Sequence, residues 1–90
     1  MVRPRGFRRI RHNPDVTYFK PQGIPLRSLE EVELEKDELE ALRLKDILEL
    51  EQSKAALEMM VSQPTFHRLL LSARKKLSRA VVEGKAIRIN

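Results

Sequence analysis

The stretch Met59–Lys76, MMVSQPTFHRLLLSARKK, decides how the chain is expected to fold. Ser62 is a residue type that caps helices, and Pro64 falls in the first turn, where a missing N–H costs little. Gly84 is well placed to end the helix in the left-handed conformation. The spacing therefore predicts a helix of about 20 residues. Its apolar positions are Phe66, Leu69, Leu70, Ala73, Leu77 and Val81.

A shorter helix is predicted just before this stretch, over QSKAALEMM. Two helices joined by a tight turn can cross at a large angle only where the contact residues are small or apolar, which is typical of a helix-turn-helix. Ala56 meets this requirement in the shorter helix, while Met60 and Val61 lie at the turn. Phe66 is expected to return into the same core. Any three-helix bundle shows similar spacing, so this pattern alone leaves open a bundle without a DNA-binding role.

The rest of the chain predicts one more helix and two extended ends. Leu39, Leu42, Ile47 and Leu50 share one helical arc, which indicates a first helix from about Lys36 to about Leu48. Val16–Phe19 and the alternating residues 85–89 could pair as a short two-stranded ribbon. We therefore expect a mostly α-helical fold: a three-helix helix-turn-helix domain over residues 30–90, with residues 1–29 forming a basic arm and an extended segment.

Composition excludes several classes of function. The 90 residues are 41% hydrophobic, contain no cysteine and hold two histidines, His12 and His67. One small domain without disulfides or thiolate metal ligands is expected. No catalytic motif and no cofactor-binding or metal-binding motif is present, so we do not expect an enzyme. The sequence offers no membrane-spanning run and no signal peptide, which predicts a cytoplasmic protein.

Charge is distributed in three blocks that the net value of +5 hides. Residues 1–29 carry seven Lys or Arg and one Asp, residues 30–60 carry four bases and eleven acids, and residues 61–90 carry seven bases and one Glu. A basic head and tail around an acidic middle suggest that the two ends form a side that faces a polyanion. The alternative is a set of solvated helix faces with no partner.

The first twelve residues, which we call the N-terminal arm, are rich in arginine and poor in apolar side chains. They are expected to be flexible and to order only on DNA, in the minor groove or along phosphates. The arginines concerned are Arg3, Arg5, Arg8, Arg9 and Arg11.

Four segments together resemble the UPF0251 (DUF134) family of small prokaryotic proteins: PDVTYFKPQGIPL, DELEALRLKD, SQPTFHRLLLSARKKL and VEGKAIRI. The resemblance runs from Arg3 to Ile89. Proteins of that family are predicted to bind DNA, and their central part is similar to region 4 of sigma factors. The resemblance therefore implies DNA binding through a helix-turn-helix.

This sequence departs from the family pattern at turns and in the N-terminal arm. Glu49 and Met60 stand where glycine is common, and a non-glycine residue in the left-handed region costs about 1 kcal/mol. Glu51 stands where a serine cap is common, and Ser53 could substitute if the helix begins later. Members often carry cysteines where Phe7 and Arg11 stand here, so a metal or thiol role does not transfer.

The exposed side of the long helix supplies the candidate DNA contacts. Exposed residues at the start of the second helix of a helix-turn-helix enter the major groove, so we predict base reading by Gln63, Pro64, His67 and Arg68. Phosphate contacts are predicted for Ser62, Thr65, Arg74, Lys75, Lys76 and Arg79. These contacts predict duplex DNA binding in transcriptional regulation by a nucleoid-associated protein. A homodimer is plausible, because symmetry doubles the small surface of one module.

A protein-interaction module is the alternative function. The acidic residues around the first helix could dock a basic partner such as a polymerase subunit, or they could be a solvated helix start. Single-stranded RNA binding is less favoured, because one Tyr and three Phe form no obvious stacking platform. The acidic residues concerned are Glu30, Glu31, Glu33, Glu35, Asp37, Glu38 and Glu40.

Overall fold

Three helices and a small three-stranded sheet make up the structure, a computed structural model that describes residues 8–90. The mostly α-helical fold expected from the sequence is confirmed. A short 3₁₀ turn, Leu26–Ser28, and a π-helical turn, Arg43–Ile47, complete the regular structure. In chain order the elements are β1 (Tyr18–Phe19), β2 (Glu31–Leu34), α1 (Lys36–Leu42), α2 (Gln52–Met59), α3 (Gln63–Glu83) and β3 (Ala86–Ile89).

The sheet has three strands in the order β1-β3-β2, whereas the sequence predicted a ribbon of two strands. The ends do pair: Tyr18 lies opposite Arg88 in an antiparallel ladder. The unpredicted strand, β2, runs parallel to β3. Its Val32 and Leu34 are buried and its two glutamates are exposed. Four alternating residues are too short a pattern to stand out beside an acidic helix start.

The first helix begins at Lys36, as predicted, because Glu35 and Glu38 form a reciprocal capping box. The Glu35 N–H donates to Glu38 Oε1 at 2.9 Å, and the Glu35 side chain accepts from the backbone of Glu38. The helix continues into the π-helical turn, and the chain leaves it through Glu49, whose φ of 58° is left-handed. The predicted end near Leu48 is confirmed.

The turn between α2 and α3 closes through Met60, which also has a φ of 58°. The Met60 N–H donates to the Leu57 carbonyl and the Val61 N–H to the Ala56 carbonyl, both at 3.0 Å, which is the Schellman pattern. Ser62 then caps α3 by accepting the Thr65 N–H at 3.3 Å. This three-residue link, Met60 to Ser62, sets the two helices in the tight succession that the sequence predicts.

The ends of α2 and α3 test three further expectations. The α3 helix has 21 residues and stops at Gly84, whose φ is 68°, so its predicted length and end are confirmed. The condition under which Ser53 could cap α2 is not met, because α2 already starts at Gln52. Its N-cap is Glu51, whose side chain makes no capping hydrogen bond. The backbone bond from the Ala55 N–H to the Glu51 carbonyl, at 2.9 Å, holds the first turn instead.

We expect Met60→Gly to raise the free energy of unfolding by about 0.5–1 kcal/mol, since glycine adopts a left-handed backbone without the strain of a Cβ atom. Little burial is lost, because Met60 is 50% exposed. Urea unfolding of both proteins measures the difference. Gly84→Ala is the matched control and should lower the stability, because it places a Cβ at another left-handed position. Destabilisation by Met60→Gly would contradict the prediction.

The core lies where α3 crosses α1, α2 and the sheet. Phe66 is fully buried, as predicted, and Ala56 is 2% exposed. A larger side chain at position 56 would therefore collide with its neighbours. The other buried members of this core are Leu34, Ala41, Leu42, Leu44, Ala55, Met59, Leu70, Ala73 and Ile89. Alanines at the helix contacts allow close approach of the backbones, which is how a chain of this size fills its interior.

Candidate nucleic-acid interface

One side of α3 is exposed along its length, and it carries all four predicted base-reading residues. At about 100° per residue, Gln63, His67, Pro64 and Arg68 fall within an arc of about 140°. Each of the four is exposed. The opposite side of the helix is buried through residues such as Phe66. The structure therefore brings the four predicted residues together on one surface, which we call the α3 surface.

The start of α3 holds Arg68 through a short chain of hydroxyl groups. Ser62 Oγ donates to Thr65 Oγ1 at 3.0 Å, and Arg68 Nη2 donates to the same Thr65 oxygen at 3.2 Å. Ser62 also caps the helix, so its hydroxyl already has a backbone partner. The guanidinium group of Arg68 consequently lies beside the first turn, next to Ser62 and Thr65, which were predicted to contact phosphate.

Two members of the predicted phosphate cluster on α3 have acidic partners in the structure. Arg74 forms a two-bonded ion pair with Asp46, in which Arg74 Nε lies 3.1 Å from Asp46 Oδ2. Lys76 Nζ lies 2.8 Å from Glu38 Oε1. Sequence spacing alone could not show that carboxylates of the first helical segment reach these side chains. Lys75 and Arg79 are exposed, and Arg79 Nε is 4.0 Å from Glu83.

Glu38 is the centre of a buried polar group between α1 and α3. It is 5% exposed, and Ser72 Oγ and Lys76 Nζ both donate to its carboxylate. Burial acts to raise the pKa of Glu38. The hydrogen bonds from Lys76, Ser72 and the Glu35 N–H outweigh that effect, so the pKa lies below its ordinary value of 4.5. Glu38 is therefore a structural ion partner of α3.

Residues 8–12 of the N-terminal arm lie on the domain, so the prediction of a flexible arm is wrong for them. The Arg9 N–H donates to the Met59 carbonyl at 3.0 Å, and Arg9 Nε donates to the Glu58 carbonyl at 3.1 Å. Arg11 also forms an ion pair with Glu58, at 3.5 Å. These contacts place the segment against the end of α2. Arg3 and Arg5 lie outside the described residues.

Glu40, on α1, also binds the segment of residues 8–12. It is 1% exposed, and its carboxylate accepts the Arg11 N–H at 3.2 Å. Arg43 donates to both oxygens, at 2.9 and 2.8 Å. Burial acts to raise the pKa of Glu40, but these bonds and the His12 N–H outweigh it, so the pKa is lowered. The short acidic run in the sequence gave no signal that Glu38 and Glu40 would be buried.

Ion pairs connect the three charge blocks. Among the described residues, seven of the eleven acids in residues 30–60 form ion pairs, and six of these pairs use a base from the head or tail. The six pairs are Arg8–Asp37, Arg11–Glu58, Arg74–Asp46, Lys76–Glu38, Lys85–Glu30 and Arg88–Glu31. Much of the basic charge at the ends therefore neutralises the acidic middle.

The charged side chains of α3 itself are almost all basic. From Gln63 to Val82 the helix has no acidic residue, and it carries five bases. His67, Arg68, Lys75 and Arg79 are exposed there. The positive surface that the charge pattern suggested is consequently concentrated on this helix.

The described residues show two further features that bear on function. Over residues 8–90, no group of three or more His, Asp or Glu side chains is arranged to hold a metal ion. None of the helices in that part of the chain has both the length and the apolar character that crossing a membrane requires.

The fold and the α3 surface together define a small, mostly α-helical domain with three helices and a mixed three-stranded sheet. The chain belongs to the family described as "Protein of unknown function DUF134", whose sequence profile matches residues 1–90. The resemblance read from the four sequence segments is thereby confirmed. The helix-turn-helix motif and the similarity to region 4 of sigma factors stay predictions.

Named relatives agree with this assignment. A UPF0251 protein of Dehalococcoides mccartyi strain BAV1 is 57% identical over 89 residues, which cover 99% of this chain and 76% of the relative. A UPF0251 protein of Caldanaerobacter subterraneus is also 57% identical, over 99% of this chain and 75% of its own. A UPF0251 protein of Halothermothrix orenii is 51% identical, over 98% of this chain and 65% of the relative. No solved structure matches the chain.

Proposed function

We propose that this protein binds duplex DNA through α2 and α3 and acts as a transcriptional regulator. One observation carries the proposal: the exposed arc of α3 presents Gln63, Pro64, His67 and Arg68 at the start of a helix with no acid before Glu83. Glutamine and arginine are the side chains that pair bidentately with adenine and guanine in the major groove. A positive helix also attracts the phosphate backbone without regard to sequence.

The start of α3 supports the assignment of roles. Arg68 is held by Thr65, which limits the rotamers it loses on meeting a base. Lys75 lies seven residues further along, about 10 Å up the helix axis. We therefore assign Lys75 to the DNA backbone that flanks the groove. The Arg74 and Lys76 side chains have acidic partners, so we no longer assign them to phosphate.

Binding as a homodimer is part of the proposal. One such helix reads only a few base pairs, and paired half-sites about 34 Å apart are the usual solution for helix-turn-helix proteins. Because the protein is proposed to bind DNA, we also propose that it lies with the nucleoid.

The alternative, docking of a basic partner on the acidic residues, has less support. Glu38 and Glu40 are buried, and Glu30, Glu31 and Asp37 already have ion-pair partners. Glu33 and Glu35 accept hydrogen bonds from the Asn90 amide. A basic partner would have to displace several of these contacts.

Arg68→Ala and Lys75→Ala are expected to affect DNA binding in different ways. Losing Arg68 should cost about 1–3 kcal/mol on a selected site and less on random duplex, because a base contact is lost. Losing Lys75 should weaken both duplexes alike and reduce the salt-dependence slope by about one unit, because one phosphate contact is lost. Salt titrations by fluorescence anisotropy on a site selected from genome fragments measure both effects.

The control for these variants is Lys36→Ala, which removes an exposed charge outside α3. It should leave the affinity for both duplexes within about twofold, since distant surface charges are screened. If Arg68→Ala and Lys75→Ala bind both duplexes as the unaltered protein does, α3 does not read DNA. If the unaltered protein binds no duplex, the proposed function is wrong.

A further inference from the structure

A cleft of about 380 Å³ lies between the second half of α3 and β2, beside the α3 surface. Its volume is in the lower part of the range for small-molecule sites. Four of its lining side chains are cationic and one is a carboxylate. The lining consists of Glu31, Val32, Ser72, Lys75, Lys76, Arg79 and Lys85.

The carboxylate in the cleft is neutralised by its own partners. Arg88 donates to both oxygens of Glu31, each at 3.0 Å, and the Tyr18 hydroxyl donates to Oε2 at 2.7 Å. The Arg88 guanidinium also lies 5.5 Å from the centre of the Tyr18 ring, which holds it beside Glu31. The charge of Glu31 therefore opposes an incoming anion only weakly.

Three of the four cations can turn toward a ligand at small cost. Lys75 is exposed and has no ion pair with any described residue. Arg79 is at the limit of ion-pair distance from Glu83, at 4.0 Å. Lys85 Nζ lies 3.0 Å from Glu30 and 3.3 Å from Glu83, whose side chains are 79% and 50% exposed. The Lys85 side chain is 25% exposed, but its two carboxylate partners lie on the surface, and pairs with exposed partners are weak, so an anion can replace these carboxylates.

Lys76 has a different role in the cleft. Its ion pair with the buried Glu38 holds it in place, so it lines the wall and is not itself free to follow a ligand. Ser72 likewise donates to Glu38. The ligand-facing groups are therefore the side chains of Lys75, Arg79 and Lys85.

We propose that this cleft binds a phosphate group through Lys75, Arg79 and Lys85. Arginine offers a planar fork that matches two phosphate oxygens, and the lysines supply point charges on either side. The phosphate can belong to a free phosphorylated compound or to a nucleic-acid backbone. Lys75 lies twelve residues after Gln63, about 18 Å along the helix, so the cleft is separate from the base-reading start.

Titration with pyrophosphate at constant ionic strength, followed by amide chemical shifts of the isotope-labelled protein, tests the site without DNA. We expect saturable shifts at the amides of Ser72, Lys75, Arg79 and Lys85. The double variant Lys75→Ala/Arg79→Ala should bind pyrophosphate at least about tenfold more weakly, because two charge-assisted contacts are lost. Both residues are exposed, so the variant should fold. Lys54→Ala, on α2 and outside the cleft, should bind as the unaltered protein does.

Duplex binding by the same double variant distinguishes the two sources of phosphate. A loss of affinity equal to that for pyrophosphate identifies a backbone phosphate, whereas a smaller loss identifies a free compound. Either result supports the site. Shifts that do not saturate, or that persist in the double variant, overturn it. Because pyrophosphate is titrated alone, this outcome is independent of whether the protein binds DNA.

Discussion

Glu40→Ala is expected to lower the free energy of unfolding by about 3–5 kcal/mol, the cost of breaking a buried ion pair by removing one partner. The substitution leaves Arg43 without its carboxylate and the Arg11 N–H without its acceptor. The whole free energy of unfolding of a small domain is about 5–15 kcal/mol, so the variant should be near the limit of folding. Urea unfolding measures the loss. Amide hydrogen exchange at Arg11 should rise more than global unfolding explains.

Glu33→Ala is the matched control, because Glu33 is exposed and accepts only from the Asn90 amide among the described residues. It should change stability by less than about 0.5 kcal/mol. An equally small effect of Glu40→Ala would show that residues 8–12 are not part of the fold.

The same substitution has a defined pH dependence. The pKa of Glu40 is lowered in the folded protein, so its contribution to stability is fully present above the ordinary value of 4.5. It is lost as the pH falls through the lowered pKa, where the carboxylate takes up a proton. The difference in stability between the unaltered protein and Glu40→Ala should therefore narrow below pH 4.5. A difference that widens on acidification would contradict the assigned sign.

Phe66→Ala is expected to cost about 3–5 kcal/mol, since it removes the largest fully buried side chain of the α2–α3 crossing and leaves a cavity. Phe66 follows the capped turn directly, so the cavity opens between the two helices that we propose to bind DNA. We expect a lower Tm and, below it, reduced affinity for duplex. Thermal unfolding and anisotropy measure the two effects.

Leu71→Ala is the control for the loss of an apolar side chain on the same helix. Leu71 is 49% exposed on the α3 surface, so its replacement should cost less than about 1 kcal/mol. Phe66→Leu should lie between the two, because it leaves a smaller cavity. If Phe66→Ala and Leu71→Ala lose the same stability, Phe66 is not the packing centre that the structure indicates.

Local patterns determined the helices and their ends. Ser62, Pro64 and Gly84 carry the start and stop of α3 in their own chemistry, and the structure uses each of them as expected. Met60 and Glu49 were recognised as non-glycine residues at turns, and both are left-handed. These features depend on backbone bonds within a few residues, which is why a sequence can reveal them.

The candidate site was predicted in part. The exposed arc with Gln63, His67 and Arg68 follows from helical periodicity alone. The acidic partners of Arg74 and Lys76 could not be predicted from periodicity, because Asp46 and Glu38 lie 28 and 38 residues away in the chain. Charge patterning shows how many ions a segment holds, but the distance between two ions is set by how the helices cross.

The sequence by itself determined the family, the three helices, the capped turn and the face of α3 that stays exposed. Only the tertiary structure decided that β2 joins β3, that residues 8–12 lie on the domain and that the basic ends pair with the acidic middle. The reason is how far apart in the chain the interacting residues lie. Helix caps and amphipathic periods are encoded by near neighbours, whereas strand pairing and ion pairing join residues about 30 to 70 positions apart and exist only after the helices have packed.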